Sequence, residues 1–209
     1  MSKKLYIILL VFVFSFLVYA EDKTVEFFYN IESDRVEYNT KTLSGLEEYK
    51  NAVEKSMNTS NLDVLGNLRT VVTLQTPLSK EETLYFFESK KIKPEQVVIY
   101  SIDRQGLLAT SMLVDPTREL IEASFEGLSI QGNDIIGTVA FYAFIPFNMV
   151  KEIQKDDRVY LADFTGDGKL YSLRSKILTN REGNKQPVFV RELHHVAWTL
   201  YQNKGILPH

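Results

Sequence analysis

Residues 135–145 run Ile-Ile-Gly-Thr-Val-Ala-Phe-Tyr-Ala-Phe-Ile without a single formal charge. A strand that alternates apolar with polar residues can leave one face wet, but a strand apolar at nearly every position must be covered on both. The segment therefore predicts a central strand, with Phe141 and Ala143 facing one side and Tyr142 and Phe144 the other. Pro146 closes it, having no N–H to extend a ladder. The aromatics read as core packing, with an exposed strip for glycan or peptide binding as the alternative.

Elements that can supply the cover lie on either side. Leu46, Tyr49, Val53 and Met57 recur at helical spacing, opened by Ser44 and Glu47 at capping-box spacing. Asn58–Asn67 reads as a polar linker anchored by Leu62, Val64 and Leu65. Arg69–Gln75 reads as a strand ended by Pro77-Leu78. Ser79 and Glu82 then form a second capping box, opening a helix that Pro94 stops. Gln96–Ile102 reads as a buried strand, Asp103–Gly106 as a turn, and Leu107–Val114 as its hairpin partner. Asp115 reads as an N-cap with Pro116 at the first helical position, giving a helix to about Phe125 and a loop over Gly127–Asp134. After the central strand come a short helix over Asn148–Lys155, a turn at Asp156-Asp157 and a strand over Arg158–Phe164. Lys169–Leu178 and Pro187–Val190 add strand pieces, and a final helix spans Arg191–Lys204, with Leu193, Val196, Ala197 and Leu200 inward, Trp198 or Tyr201 broadening the stripe, and Gly205 as its cap.

From Arg69 to Phe164 the order strand, helix, strand, strand, helix, strand is that of a ferredoxin-like split β-α-β core. The expected class is α+β, with this core over 67–164 and added N-terminal and C-terminal helices. The additions are a strand and helix extension over 21–66 and a strand and helix extension over 165–209. At the level of topology the core resembles the propeptide and inhibitor domains of subtilisin-type proteases. There a helix, acidic residues and a short apolar strand end the domain, and here Val150–Ile153, Lys155-Asp156-Asp157 and Val159–Asp163 match them. The resemblance covers about half of the chain without a signature motif, and it implies a protein or peptide partner held through a sheet edge or face.

The N-terminus bears on location. Lys3 and Lys4 precede an apolar run from Leu5 to Val18, and Val18-Tyr19-Ala20 ends it with residues a signal peptidase accepts. Residues 1–20 read as a secretory signal cut after Ala20, with an uncleaved anchor as the alternative; only that anchor would bring membrane contact. The segment holds two lysines and no acids, so without it the formal charge of −3 becomes −5. That balance argues against nucleic acid, whose binding needs clustered cations. An exported chain with no cysteine lacks disulfides and thiol chemistry and fits a bacterial source.

Several groupings invite chemistry. Asp163-Phe164-Thr165-Gly166-Asp167-Gly168 begins like a calcium loop, but Arg174 stands where a bidentate Glu is required, so a polar turn is expected. His194 and His195 are adjacent on a helix and diverge by about 100°, unlike a metal-binding i, i+4 pair, and His209 stands alone. The pairs Glu47-Glu48, Glu81-Glu82 and Asp156-Asp157 sit at helix ends, where backbone dipoles account for them. No catalytic, cofactor-binding or metal residue is assigned, and no cofactor. The expected function is a secreted or cell-envelope binding module without catalysis, with an extracytoplasmic hydrolase as the rival. A histidine, acid and hydroxyl clustered in a cleft would favour the hydrolase, and a continuous exposed sheet edge or apolar patch the binder.

Overall fold

The computed structural model describes residues 42–59, 62–165, 167, 170 and 194–207. The signal segment, residues 21–41 of the N-terminal extension, the strand pieces at 169–178 and 187–190 except Leu170, residues 191–193 of the final helix, and His209 lie outside them. The described chain is α+β, with five helices and five strands. These are α1 (Leu43–Thr59), β1 (Asn67–Leu78), α2 (Lys80–Lys90), β2 (Pro94–Ile102), β3 (Leu108–Val114), α3 (Arg118–Ile130), β4 (Asp134–Pro146), α4 (Phe147–Gln154), β5 (Val159–Asp163) and α5 (His194–Asn203). A 3-10 turn at Asp63–Leu65 joins α1 to β1.

The strands form one antiparallel sheet in the order β3-β2-β4-β1-β5. β4 lies between β1 and β2, and β1 lies between β4 and β5. The units β1-α2-β2 and β4-α4-β5 are thus each split by a strand of the other, which is the ferredoxin-like arrangement. Its four core strands are β1, β2, β4 and β5. β3 is an addition, hairpinned onto the outside of β2, and α3 carries the chain back to β4.

As its composition demands, β4 is buried on both sides. Val72 of β1, Phe141 of β4 and Val97 of β2 fall in one row. On that face the rings of Phe86 and Phe87 in α2 meet Phe141 edge-on, at 5.6 and 5.0 Å between centroids. Val71, Tyr142 and Asp163 fall in a row on the opposite face, where Tyr49 of α1 reaches Asp163. Leu46, Tyr49, Val53 and Met57 are all buried, and so are Val196, Ala197, Leu200 and Tyr201 of α5, which packs on α1, β1 and β4. Phe144 departs from the all-core reading, since nearly half of it is exposed.

The structure moves several boundaries. Gly45 N–H donates to Thr42 Oγ1 at 3.2 Å, so Thr42 caps α1 and Ser44 lies inside the helix. Asp115 N–H donates to Glu95 O at 2.7 Å, which holds Asp115 on the β2 ladder; Thr117 caps α3 instead, accepting from Leu120 N–H. Leu128 is buried one turn beyond Phe125, and α3 runs on to Ile130 accordingly. β1 ends at Leu78 as expected, running through Pro77 where the ladder to β4 is irregular between Thr73 and Leu78. The Ser79–Glu82 capping box forms in both directions, at 2.8 and 3.2 Å.

Candidate functional site

A sheet has two edges, and this protein treats them differently. β5 spans five residues and is closed by a side chain. The Gln154 carboxamide at the end of α4 accepts the Ala162 N–H at 2.7 Å and donates to the Tyr160 carbonyl at 3.4 Å, taking the place of a neighbouring strand. Glu54 of α1 accepts a further bond from the same amide nitrogen at 2.9 Å. Such cover is how folded proteins blunt an edge.

β3, at the other edge, has none of these devices. Leu-Ala-Thr-Ser-Met-Leu-Val contains no charge and no proline, and its register with β2 is unbroken. Asp103 N–H donates to Leu107 O and Asp115 N–H to Glu95 O, which fixes the phase of the ladder. Residues 107, 109, 111, 113 and 115 face β2 with their backbone groups, and Leu108, Thr110, Met112 and Val114 direct theirs outward. Among the described residues no strand pairs with that side. Met112 is 43% and Val114 59% exposed, and Leu107 in the turn is also exposed. The edge can therefore offer alternating donors and acceptors beside apolar side chains, which is what an added strand needs.

The polar groupings singled out above are absorbed by structure. Asp163 is fully buried and accepts from Tyr49 Oη at 2.5 Å, from Thr165 Oγ1 at 2.6 Å and from Thr165 N–H at 2.8 Å. Burial pushes its carboxyl up, and those hydrogen bonds oppose the shift. Asp167 accepts the Arg69 N–H at 2.6 Å, so the turn after β5 ties that strand to β1 and α1. Asp156 accepts two bonds from Arg158 at 2.8 Å and lies 2.9 Å from Lys90 Nζ. The Arg158 bonds, with Lys90 adding, hold its carboxyl far below the usual range. The Arg158 guanidinium also stacks over Phe86, 4.6 Å from the ring centroid.

Glu82 serves the capping box, Glu81 lies 3.6 Å from Lys80, and Glu47 accepts the Tyr160 hydroxyl at 3.0 Å. Each acidic pair thus has at least one member engaged in holding the fold. His194 and His195 begin α5, and their side chains lie outside the described residues. Among the described residues no group of three or more His, Asp or Glu could hold a metal ion, and no helix is long and apolar enough to cross a membrane.

Sequence reading found β3 as a hairpin strand but not as an edge, because strand order is decided by pairing between distant segments. It missed Gln154 entirely; a glutamine closing a short helix carries no local mark of a β-edge cap. No protein-family model, curated protein or solved structure matches this chain, so a reading of its function rests on the open edge and the polar clamps themselves.

Proposed function

We propose that this chain is an exported bacterial protein of the cell envelope or medium that works without catalysis, as an interaction module accepting an extended protein segment along β3. The contrast between the two edges carries the reading: β5 is capped by Gln154, whereas β3 offers the outward backbone groups of Leu108, Thr110, Met112 and Val114. An uncharged edge of seven residues, bare of bulge and proline, is an aggregation hazard unless it has a partner. A continuous edge is also the feature that separates a binder from the rival hydrolase. Export is supported by Lys3-Lys4, the apolar run to Val18 and the Val18-Tyr19-Ala20 ending, and the bacterial source by a chain without cysteine.

The test uses backbone chemistry. A display library of extended heptapeptides is selected on the protein, and amide exchange is followed residue by residue. Bound peptides are expected to protect the amides of Leu108, Thr110, Met112 and Val114. Met112→Pro, which removes an outward N–H and leaves the bonds to β2 intact, is expected to abolish binding. Peptides that bind while those four amides exchange at the free rate would refute the reading.

A further inference from the structure

Resting on that reading, we infer that the segment filling the β3 edge is β3 of a second copy of the chain, giving a two-fold dimer with a continuous sheet. A two-fold axis sets each strand antiparallel to its own copy, so every feature of the edge must suit itself. With the axis at Ser111, Leu108 of one copy meets Val114 of the other and Thr110 meets Met112. All four outward-facing residues then fall in hydrogen-bonded pairs, and none is left over at either end. Their side chains share one sheet face, so Met112 and Val114 are covered by Thr110 and Leu108 of the partner copy.

Charge permits the same arrangement. A charged residue near the centre of a self-paired strand lies close to its own copy and repels it, and Leu108–Val114 carries no charge. The charges lie outside the strand, with Asp103 and Arg104 in the turn before it and Asp115 directly after it; Asp103 is occupied with the Leu107 N–H and the Arg104 side chain lies against Gly132.

The absence of cysteine makes the register testable. Ser111→Cys introduces a single thiol that meets its own copy on the axis, across a non-hydrogen-bonded pair with Cα atoms about 4.5 Å apart, within disulfide range. Thr110→Cys puts the thiol opposite Met112 instead. The full-length protein, as its host processes it, is examined by light scattering over a concentration series and by mild oxidation.

The expected result is a concentration-dependent dimer, at least tenfold faster cross-linking of Ser111→Cys than of Thr110→Cys, and loss of both dimer and cross-link when Met112→Pro is added. A monomer at every concentration overturns the dimer, as does a dimer that Met112→Pro leaves intact. A monomer that binds selected heptapeptides at β3 overturns the self-pairing and leaves the proposed function standing. A monomer whose β3 amides no peptide protects overturns both.

Discussion

The Tyr49 hydroxyl donates to the Asp163 carboxylate at 2.5 Å, joining α1 to the last residue of β5 across 114 positions of sequence. Burial is the larger influence on Asp163 and raises its pKa, so the folded protein holds this proton more tightly than the unfolded chain. Its contribution to stability is complete below the ordinary carboxylate value of about 3.9 and is lost as pH rises through the raised folded value. Asp163→Asn removes that titration and keeps an oxygen for Tyr49. Urea midpoints taken from about pH 4 to neutrality are expected to fall less in Asp163→Asn than in the parent. Tyr49→Phe removes a donor to the charged form and is expected to cost about 1–3 kcal/mol near neutral pH. A loss that Tyr49→Phe shows equally in the Asp163→Asn background would separate the hydroxyl from the charge.

Asp156 has the opposite sign. Arg158 and Lys90 depress its pKa, so its contribution is present above the ordinary carboxylate value and fades as pH falls through that value toward the lower folded one. Asp156→Asn is expected to cost about 2 kcal/mol at neutral pH, the range of hydrogen bonds to charged groups, and to flatten the acid limb of the stability profile. Parallel acid limbs for variant and parent would contradict this.

These two carboxylates show what local sequence can and cannot reveal. Residues 135–145 announce a central strand because nearly every position is apolar and none is charged, and Ser79 with Glu82 announces a helix start because both bonds of a capping box close within four residues. Thr42 and Thr117 displaced the predicted caps Ser44 and Asp115 because neighbouring backbone bonds decide which residue stands at the helix start. The open edge was not legible at all. Whether β3 or β5 needs cover depends on strand order, and the group that caps β5 comes from a helix whose last turn looks like any other.

Gln154 offers a direct test of edge control. Gln154→Ala leaves the Ala162 N–H and the Tyr160 carbonyl without their cap and is expected to cost about 1 kcal/mol, with a marked rise in self-association through β5. Gln154→Glu can still accept from Ala162 but cannot donate to Tyr160, and it faces Glu54. It is expected to be at least as destabilising near neutral pH, while its added charge holds association down. Light scattering during thermal unfolding separates the two variants; equal association in both would show that the edge is guarded by something other than this amide.

At Gly137 the backbone of β4 passes close to the irregular end of β1. Its φ is +129°, and a Cβ there would lie 2.5 Å from the Leu78 carbonyl oxygen and 3.2 Å from Pro77 Cβ. The first obstacle is backbone, so no rotamer change relieves it. That approach lies at the far end of the irregular pairing between Thr73 and Leu78, where Leu78 pairs with Thr138. Gly137→Ala combines a disfavoured backbone conformation, about 1–3 kcal/mol, with this overlap. Gly106→Ala, at φ +79° with nothing within 4 Å, carries the backbone cost alone, about 1–2 kcal/mol. Gly137→Ala is therefore expected to lower the urea midpoint well beyond Gly106→Ala, and to speed amide exchange at Leu78 and Thr138, which Gly106→Ala leaves unchanged. Equal midpoints would mean that the two strands can part at this point without loss, and that the close approach is incidental to the fold.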